Sequence, residues 1–502
     1  MKTIQKQTLW GTIISFLGVF FGTLNQGFLI PKYLETEQLG LISILFSYSV
    51  ILQVMGPLGF NYAGSKFFSK FEDSSNGHNG FLFLGLFFIL IGIIISSFLL
   101  FLFKNWIIGT QIQSSNLFQD YFYFLYPLLI FNTLFNFFDN YAKNLRDTFW
   151  GVFLSQFFNR FGTFLATILV IFGFIDFQIF LKIWLFVQCV PALLIFLHIL
   201  RLPGFSFKPN SYFFHSDFKN EFISFSIWSL FTGIGTIAIF KIDSILVYRY
   251  LGLSQIGIYN FCLLFGSVMS ISYNINLKTA TSFIIKSIQD EEWDKVERIY
   301  KKSSLTQAIF GFGILILSFS CLEILFSLIN KPEFNAAVWP ILIIGYTKIF
   351  DLISGMNTLI LLYSKYYKWD IVLNGIFVIF LIFLNALLIP DFGINGASIA
   401  LLFATIIYNF LRVSLIYKKF NLLPFKSSLI EIFIIGTILI GIGFILPDFK
   451  QDLISKIFTL FYKSLVLGGI FTFIVIKRNY SEDINEVFDK FLNYLKFLFI
   501  AK

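Results

Sequence analysis

The stretch FKIDSILVYRYLGLSQIGIY, Phe240 to Tyr259, decides the fold: an apolar run broken by Lys241 and Asp243 turns back through a glycine-containing loop and resumes. Part of it occurs twice. Tyr33 to Leu41 reads YLETEQLGL and Tyr250 to Ile258 reads YLGLSQIGI, so Tyr, Leu, Gln and Gly coincide at a constant offset of 217 residues, with Leu39 answered by Ile256 and Leu41 by Ile258. Each copy lies between two hydrophobic segments, as expected of structurally equivalent halves of an internally duplicated membrane protein.

Composition sets the class. With 57% hydrophobic and 13% charged residues, the 502-residue chain cannot be arranged as a soluble core with a wet surface, and it is read as a polytopic membrane protein. The 72 Phe residues are read as a bias tolerated by lipid. Cys189, Cys262 and Cys321 fall inside apolar runs without paired spacing, which gives neither a disulfide framework nor a zinc site. His78, His198 and His215 lie at or outside segment ends and form no HExxH pair, so no metal is expected. Gly59 to Lys66, GFNYAGSK, ends in Gly-Ser-Lys where a phosphate loop needs Gly-Lys-Ser/Thr; it is read as a helix end, and no cofactor is expected.

At 1.5 Å per residue about 20 residues span the roughly 30 Å hydrocarbon layer. The apolar run from Leu9 to Ile30 after Lys2 and Lys6 is too long for a secretory signal and lacks a small-x-small cleavage site, so it is read as a first membrane helix. Further spans are expected near 39–62, 80–103, 117–138, 152–175, 179–199, 222–248, 257–277, 305–328, 337–361, 371–389, 397–416, 429–447 and 457–476. The fold class is therefore an all-α integral membrane protein of about fourteen helices, two six-helix bundles related by the repeat plus two C-terminal helices. The expected division is an N-terminal bundle over 1–200, a cytoplasmic linker over 201–221, a second bundle over 222–416, helices 13 and 14 over 429–476 and a cytoplasmic amphipathic tail over 477–502. Within the tail, Val487, Phe488, Phe491, Leu492, Leu495 and Phe499 share one side at helical spacing. Gln289 to Lys302, QDEEWDKVERIYKK, is expected as a charged, solvated helix between spans 8 and 9.

Lys and Arg accumulate in cytoplasmic loops, and with the N-terminus inside about 25 of the 37 lie on that side and about 7 on the other. The net charge of +9 thus reports topology, and no nucleic-acid partner is needed to explain it.

Function is sought where polar groups sit at membrane depth, since a charge near the bilayer centre costs about 2.5–3.5 kcal/mol on insertion scales. Span 4 carries Asn132, Asn136, Asp139 and Asn140 as one stripe, and span 5 returns with Gln156, Asn159, Arg160 and Thr163. The two stripes are expected to face each other or a shared cavity, Arg160 serving either a substrate or helix-to-helix hydrogen bonds. Lys348 and Asp351, three apart, share a helix face and can neutralise each other. Lys241 and Asp243 are two apart and point differently, so each needs a partner from another helix or from water. Arg412, near a span end, is read as snorkelling.

Three stretches carry a family resemblance: Ile30 to Leu41 (IPKYLETEQLGL), Ile242 to Tyr259 (IDSILVYRYLGLSQIGIY) and Ile389 to Ala400 (IPDFGINGASIA). With the helix count, they resemble the polysaccharide exporters of the MOP superfamily, which include Wzx-type flippases of lipid-linked oligosaccharides such as O-antigen units. The first loop departs from the family's Leu-Gly pair by having Glu35 after Leu34, whereas Gly252 keeps it. The resemblance implies two bundles forming a V-shaped cavity open alternately inward and outward, with helices 13 and 14 lining a groove for a lipid tail. It also implies export across the cytoplasmic membrane for lipopolysaccharide or other cell-surface polysaccharide biosynthesis, with polysaccharide-assembly enzymes as possible partners and membrane lipid as surroundings.

A polyprenyl pyrophosphate sugar carries a strong anion beside a large polar headgroup, and its unaided passage through hydrocarbon is prohibitive. A polar cavity with a few cations lowers that barrier, Arg binding phosphate bidentately and Lys acting as a point charge. The expected substrate-binding residues are Arg160, Lys241, Lys348, Asn132 and Asn136, with Asp243 and Asp351 as ion-coupling groups or structural partners; no bond is made or broken. A drug-extruding H⁺ or Na⁺ antiporter of the same superfamily is the alternative, and the balance of cations over carboxylates discriminates the two. A membrane glycosyltransferase would call for acidic residues in a sizeable external loop, and every external loop expected here is short. Reporter fusions after Lys302 and at Lys502 are predicted to report the cytoplasmic side both times; an external signal from either breaks the topology.

Overall fold

The computed structural model describes residues 2–109, 116–210, 212–215, 217–449, 452–481 and 484–486, and no strand occurs among them. Most of the expected amphipathic tail, from Val487 onward, lies outside the described residues. Twelve stretches are long and apolar enough to cross a membrane. The first six are α1 (Trp10–Tyr33), α2 (Thr36–Met55), α3 (His78–Leu102), α4 (Leu117–Asn144), α5 (Phe149–Ile171) and α6 (Phe177–Ile199). Two later stretches each run through one residue with non-helical backbone, Gly252 and Gly393, and so combine parts of two helices. These are α7 (219–251) with α8 (253–289), and α11 (367–392) with α12 (394–420). With α9 (Trp293–Ile329), α10 (Pro332–Ile353), α13 (Ser427–Ile445) and α14 (Ile454–Lys477), the twelve apolar stretches become fourteen helices once two are divided at these glycines, against about fourteen spans expected.

The chain divides into two compact units, 1–261 and 262–502. In the first, the duplicated loop makes the same kind of break by two routes. Between α1 and α2, Leu34 is extended (φ −102°, ψ 147°) and Glu35 caps α2 reciprocally with Gln38, whose Oε1 accepts the Glu35 N–H at 3.1 Å. Between α7 and α8, Gly252 takes φ 83°, ψ −173°, a region open essentially to glycine alone. The two copies then pack on each other. A β-carbon on Gly40 would stand 1.8 Å from the Leu253 carbonyl oxygen, and one on Gly257 would stand 2.5 Å from the Thr36 carbonyl oxygen. Positions 40 and 257, like 36 and 253, are related by the repeat offset, so one contact is made twice in opposite senses, as in an isologous interface. Ser254 Oγ donates to Thr36 Oγ1 at 2.8 Å beside it.

The core of this unit is aromatic. Phe60, fully buried at the start of the short helix Phe60–Phe67, has the rings of Phe81, Phe88, Phe137 and Phe222 at centroid distances of 5.2, 5.4, 5.9 and 5.5 Å. These phenylalanines are specific packing partners, not merely a lipid-tolerated bias. Others, such as Phe98, Phe101 and Phe186, are exposed on the outer faces, where a lipid-facing helix places apolar side chains. Phe213 and Phe218, from the expected linker, join the aromatic core. Gly59 to Lys66 is a helix start, with Gly59 (φ 79°) at its N-cap.

In the second unit Phe312, Leu315 and Ile316 of α9 pack with Ile349 of α10, Ile432 of α13 and Leu467 of α14. The charged segment expected as a separate solvated helix is the unbroken beginning of α9 from Trp293. One of its faces is buried: Val296 and Tyr300 are fully enclosed with Ile284, Ile360 and Ile416, and Trp293 stacks on Phe420 at 4.5 Å. Its charged residues pair along the other face, Lys301 with Glu297 at 2.6 Å.

Because a β-carbon at position 40 or 257 falls on a backbone carbonyl that cannot swing aside, Gly40→Ala and Gly257→Ala are each expected to cost about 1–3 kcal/mol or more. Thermal melting of the detergent-purified protein measures this, and parent-like melting of either variant contradicts the contact.

Candidate functional site

In the first unit the site begins where α1 meets α5. Gly11, Gly18 and Gly22 of α1 approach Val152, Gln156 and Arg160 of α5, a close crossing of the kind small residues allow between membrane helices. A β-carbon on Gly18 would lie 2.0 Å from the Gln156 carbonyl oxygen, and one on Gly22 would lie 2.9 Å from Arg160 Cδ. Each helix carries a π-helical stretch at this crossing, Asn25–Leu29 in α1 and Phe153–Phe158 in α5, a local widening common at functional sites. Arg160, expected opposite α4, is thus laid against α1. It is half-buried and makes no hydrogen bond or ion pair among the described residues.

The α4 stripe divides in two. Asn132 and Asn136 are half-buried with no side-chain hydrogen bond among the described residues. The other end is used internally: Asp139 pairs with Lys143 and abuts Gly151, and Asn140 Nδ2 donates to Ser65 Oγ at 3.0 Å. Beyond it, His198 Nε2 lies 2.7 Å from Asp147 Oδ2, tying the end of α6 to the α4–α5 turn.

On α7, Lys241 and Asp243 meet different surroundings. Lys241 Nζ sits 5.1 Å from the ring centroid of Phe46 on α2 and makes no hydrogen bond or ion pair among the described residues. Asp243 is 2% exposed; its Oδ2 accepts the Tyr259 hydroxyl at 2.9 Å and its Oδ1 the Ser244 N–H at 2.8 Å. Since Tyr259 is on α8, the carboxylate bridges the two helices on either side of the Gly252 break.

In the second unit Lys348 Nζ is 3.5 Å from Asp351 Oδ2 on the same helix face, and the lysine stem lies against Gly266 of α8. Arg412 corrects the sequence reading. It is 6% exposed and does not snorkel: its guanidinium pairs with Asp370 of α11, donates to Thr358 Oγ1 at 3.0 Å and lies 4.2 Å from the Tyr408 ring centroid. The partners are 42 residues apart, and the only signal was that both stand at the same end of an expected helical hairpin. A groove of about 730 Å³ runs between α13 and α14, lined by Ile434, Ile435, Phe473 and Ile474, with Lys477, Arg478 and Glu431 among its polar residues. No three His, Cys, Asp or Glu side chains converge to hold a metal ion among the described residues.

Helices long and apolar enough to cross a membrane, with charged side chains within them, define a multi-pass membrane protein. The structure of the lipid II flippase MurJ in an inward closed conformation matches with a TM-score of 0.72 at 14% identity, covering 94% of this chain and all of that one. An inward-facing multidrug resistance MATE family transporter of the MOP superfamily matches with a TM-score of 0.61 at 11% identity, covering 82% and 98% of the two chains. The polysaccharide biosynthesis protein family matches residues 9–282, more than half of the chain, and the protein belongs to that family. No curated protein matches it by sequence.

Removing one partner of a buried ion pair strands the other. Asp370→Asn is therefore expected to lower stability by about 3–5 kcal/mol, read as a fall in melting temperature, with much of it regained when Arg412→Met is added. Unchanged melting of the single variant removes the structural role assigned to the pair.

Proposed function

We propose that the protein is a flippase that carries a polyprenyl-pyrophosphate-linked oligosaccharide across the cytoplasmic membrane, exposing its site alternately to the two sides, in the Wzx manner that supplies units such as O-antigen to cell-surface polysaccharide. One observation carries the reading. Arg160 and Lys241 make no close ion pair among the described residues; the carboxylate that acts on Lys241, Asp243, is itself hydrogen-bonded by Tyr259, and Asp139 is paired with Lys143. The first unit thus offers cations without a close counter-ion inside its apolar helices, which an anionic cargo neutralises and a cationic drug does not. Membership in the polysaccharide biosynthesis family supports the same substrate class.

In this reading Arg160 and Lys241 receive the pyrophosphate, and Asn132 and Asn136 offer neutral hydrogen bonds to sugar hydroxyls. Lys348 is a further cation, held by Asp351 when no cargo is bound, and Asp243 secures α7 to α8. The groove between α13 and α14 takes the lipid tail, with Lys477 and Arg478 at the interface. Both termini face the cytoplasm. The chain performs no bond chemistry.

The test is flipping of a lipid-linked oligosaccharide by the protein in vesicles. Arg160→Ala and Lys241→Ala are each expected to slow flipping about tenfold or more, the loss of one charge-assisted contact, with protein yield retained. Asp243→Asn is expected to reduce the yield of folded protein instead. Ion-gradient-driven efflux of a cationic dye that is indifferent to both cation substitutions overturns the reading in favour of the antiporter.

A further inference from the structure

We propose that Gly22 and Asn25 of α1 complete, with Arg160 of α5, a receptor for the phosphoryl oxygens of the cargo; this rests on the flippase reading. The place a β-carbon would occupy on Gly22 is 2.9 Å from Arg160 Cδ and 3.5 Å from its Cγ and Nε. The arginine therefore lies across α1 at the one residue whose lack of a side chain leaves room for it. Asn25 follows three residues later, the next position on that helix face. It opens the π-helical stretch and is 2% exposed, and its Oδ1 has no hydrogen-bond partner. Asn159, next to Arg160 on α5, likewise has a buried Oδ1 without a partner.

A buried amide left unpaired is costly, and native structures rarely keep one without a use. A primary amide presents its NH₂ or its oxygen by rotation about its last torsion, so Asn25 supplies a neutral donor on the α1 face that Arg160 crosses at Gly22 when an acceptor arrives. A phosphoryl group is that acceptor: its oxygens take the arginine's paired N–H donors and the amide together. Neutrality at position 25 matters, because a carboxylate there would pair with Arg160 and cancel the charge that selects the anion. Gly22 is accordingly a positioning residue and Asn25 a binding one.

The experiment compares binding of polyprenyl pyrophosphate and of the uncharged polyprenol to the full chain in lipid nanodiscs, for the parent, Gly22→Ala and Asn25→Asp. The expected result is that each substitution lowers the preference for the pyrophosphate lipid about tenfold while polyprenol binding is kept. Unchanged preference in both variants overturns the assignment while the flippase reading stands. Parallel loss of both lipids in both variants also overturns it, since that marks a folding role for the helix crossing. A parent protein without preference for the pyrophosphate lipid refutes the flippase reading and this inference with it.

Discussion

The backbone contact between the two copies of the repeated loop constrains most of the first unit. Gly40 faces the Leu253 carbonyl and Gly257 faces the Thr36 carbonyl, so α2 and α8 meet at a separation set by main-chain atoms rather than by side chains. Such a contact has almost no slack. It also fixes where α8 turns back from α7, because the Gly252 turn belongs to the same loop, and it leaves Asp243 and Tyr259 to hold the two arms of that turn together. Lys241, two residues from Asp243 on the same helix, is thereby placed beside Phe46 of α2.

Two kinds of charge occur among the described residues. Asp370 with Arg412 and Asp139 with Lys143 are closed pairs whose partners are supplied by the protein itself. Arg160 is laid against α1, and Lys241 sits beside Phe46 with the Asp243 carboxylate acting on it from a distance, neither cation closing an ion pair among the described residues. The repeat does not extend to this chemistry: at the offset of 217, position 377 opposite Arg160 is Phe377, and position 24 opposite Lys241 is Leu24. The duplication preserved the turn and let the intramembrane polar residues diverge.

The helices were legible because their signal is local. Twenty consecutive apolar residues mean a span whatever they pack against. The Gly252 break was legible for the same reason, whereas the break at Glu35 depends on a side-chain cap with Gln38 that mimics it without glycine. Which phenylalanines form a core could not be read, since Phe60 and Phe98 look alike until three-dimensional neighbours are known. Arg412 was misread because its partner comes from another helix. The seat of Arg160 left a trace that went unused: Gly11, Gly18 and Gly22 recur at spacings of seven and four, which is a helix-crossing face.

The length of α9 has a practical meaning. Its 37 residues extend about 55 Å at 1.5 Å per residue, against a hydrocarbon layer of roughly 30 Å. The surplus is the charged first turns, continuous with the span and clamped to the end of α12 by Trp293 on Phe420. A rigid body fused through this helix would inherit the tilt of α9 without a flexible joint. The same charged turns are therefore a natural handle on the second unit for a fiducial domain or a pair of spectroscopic labels.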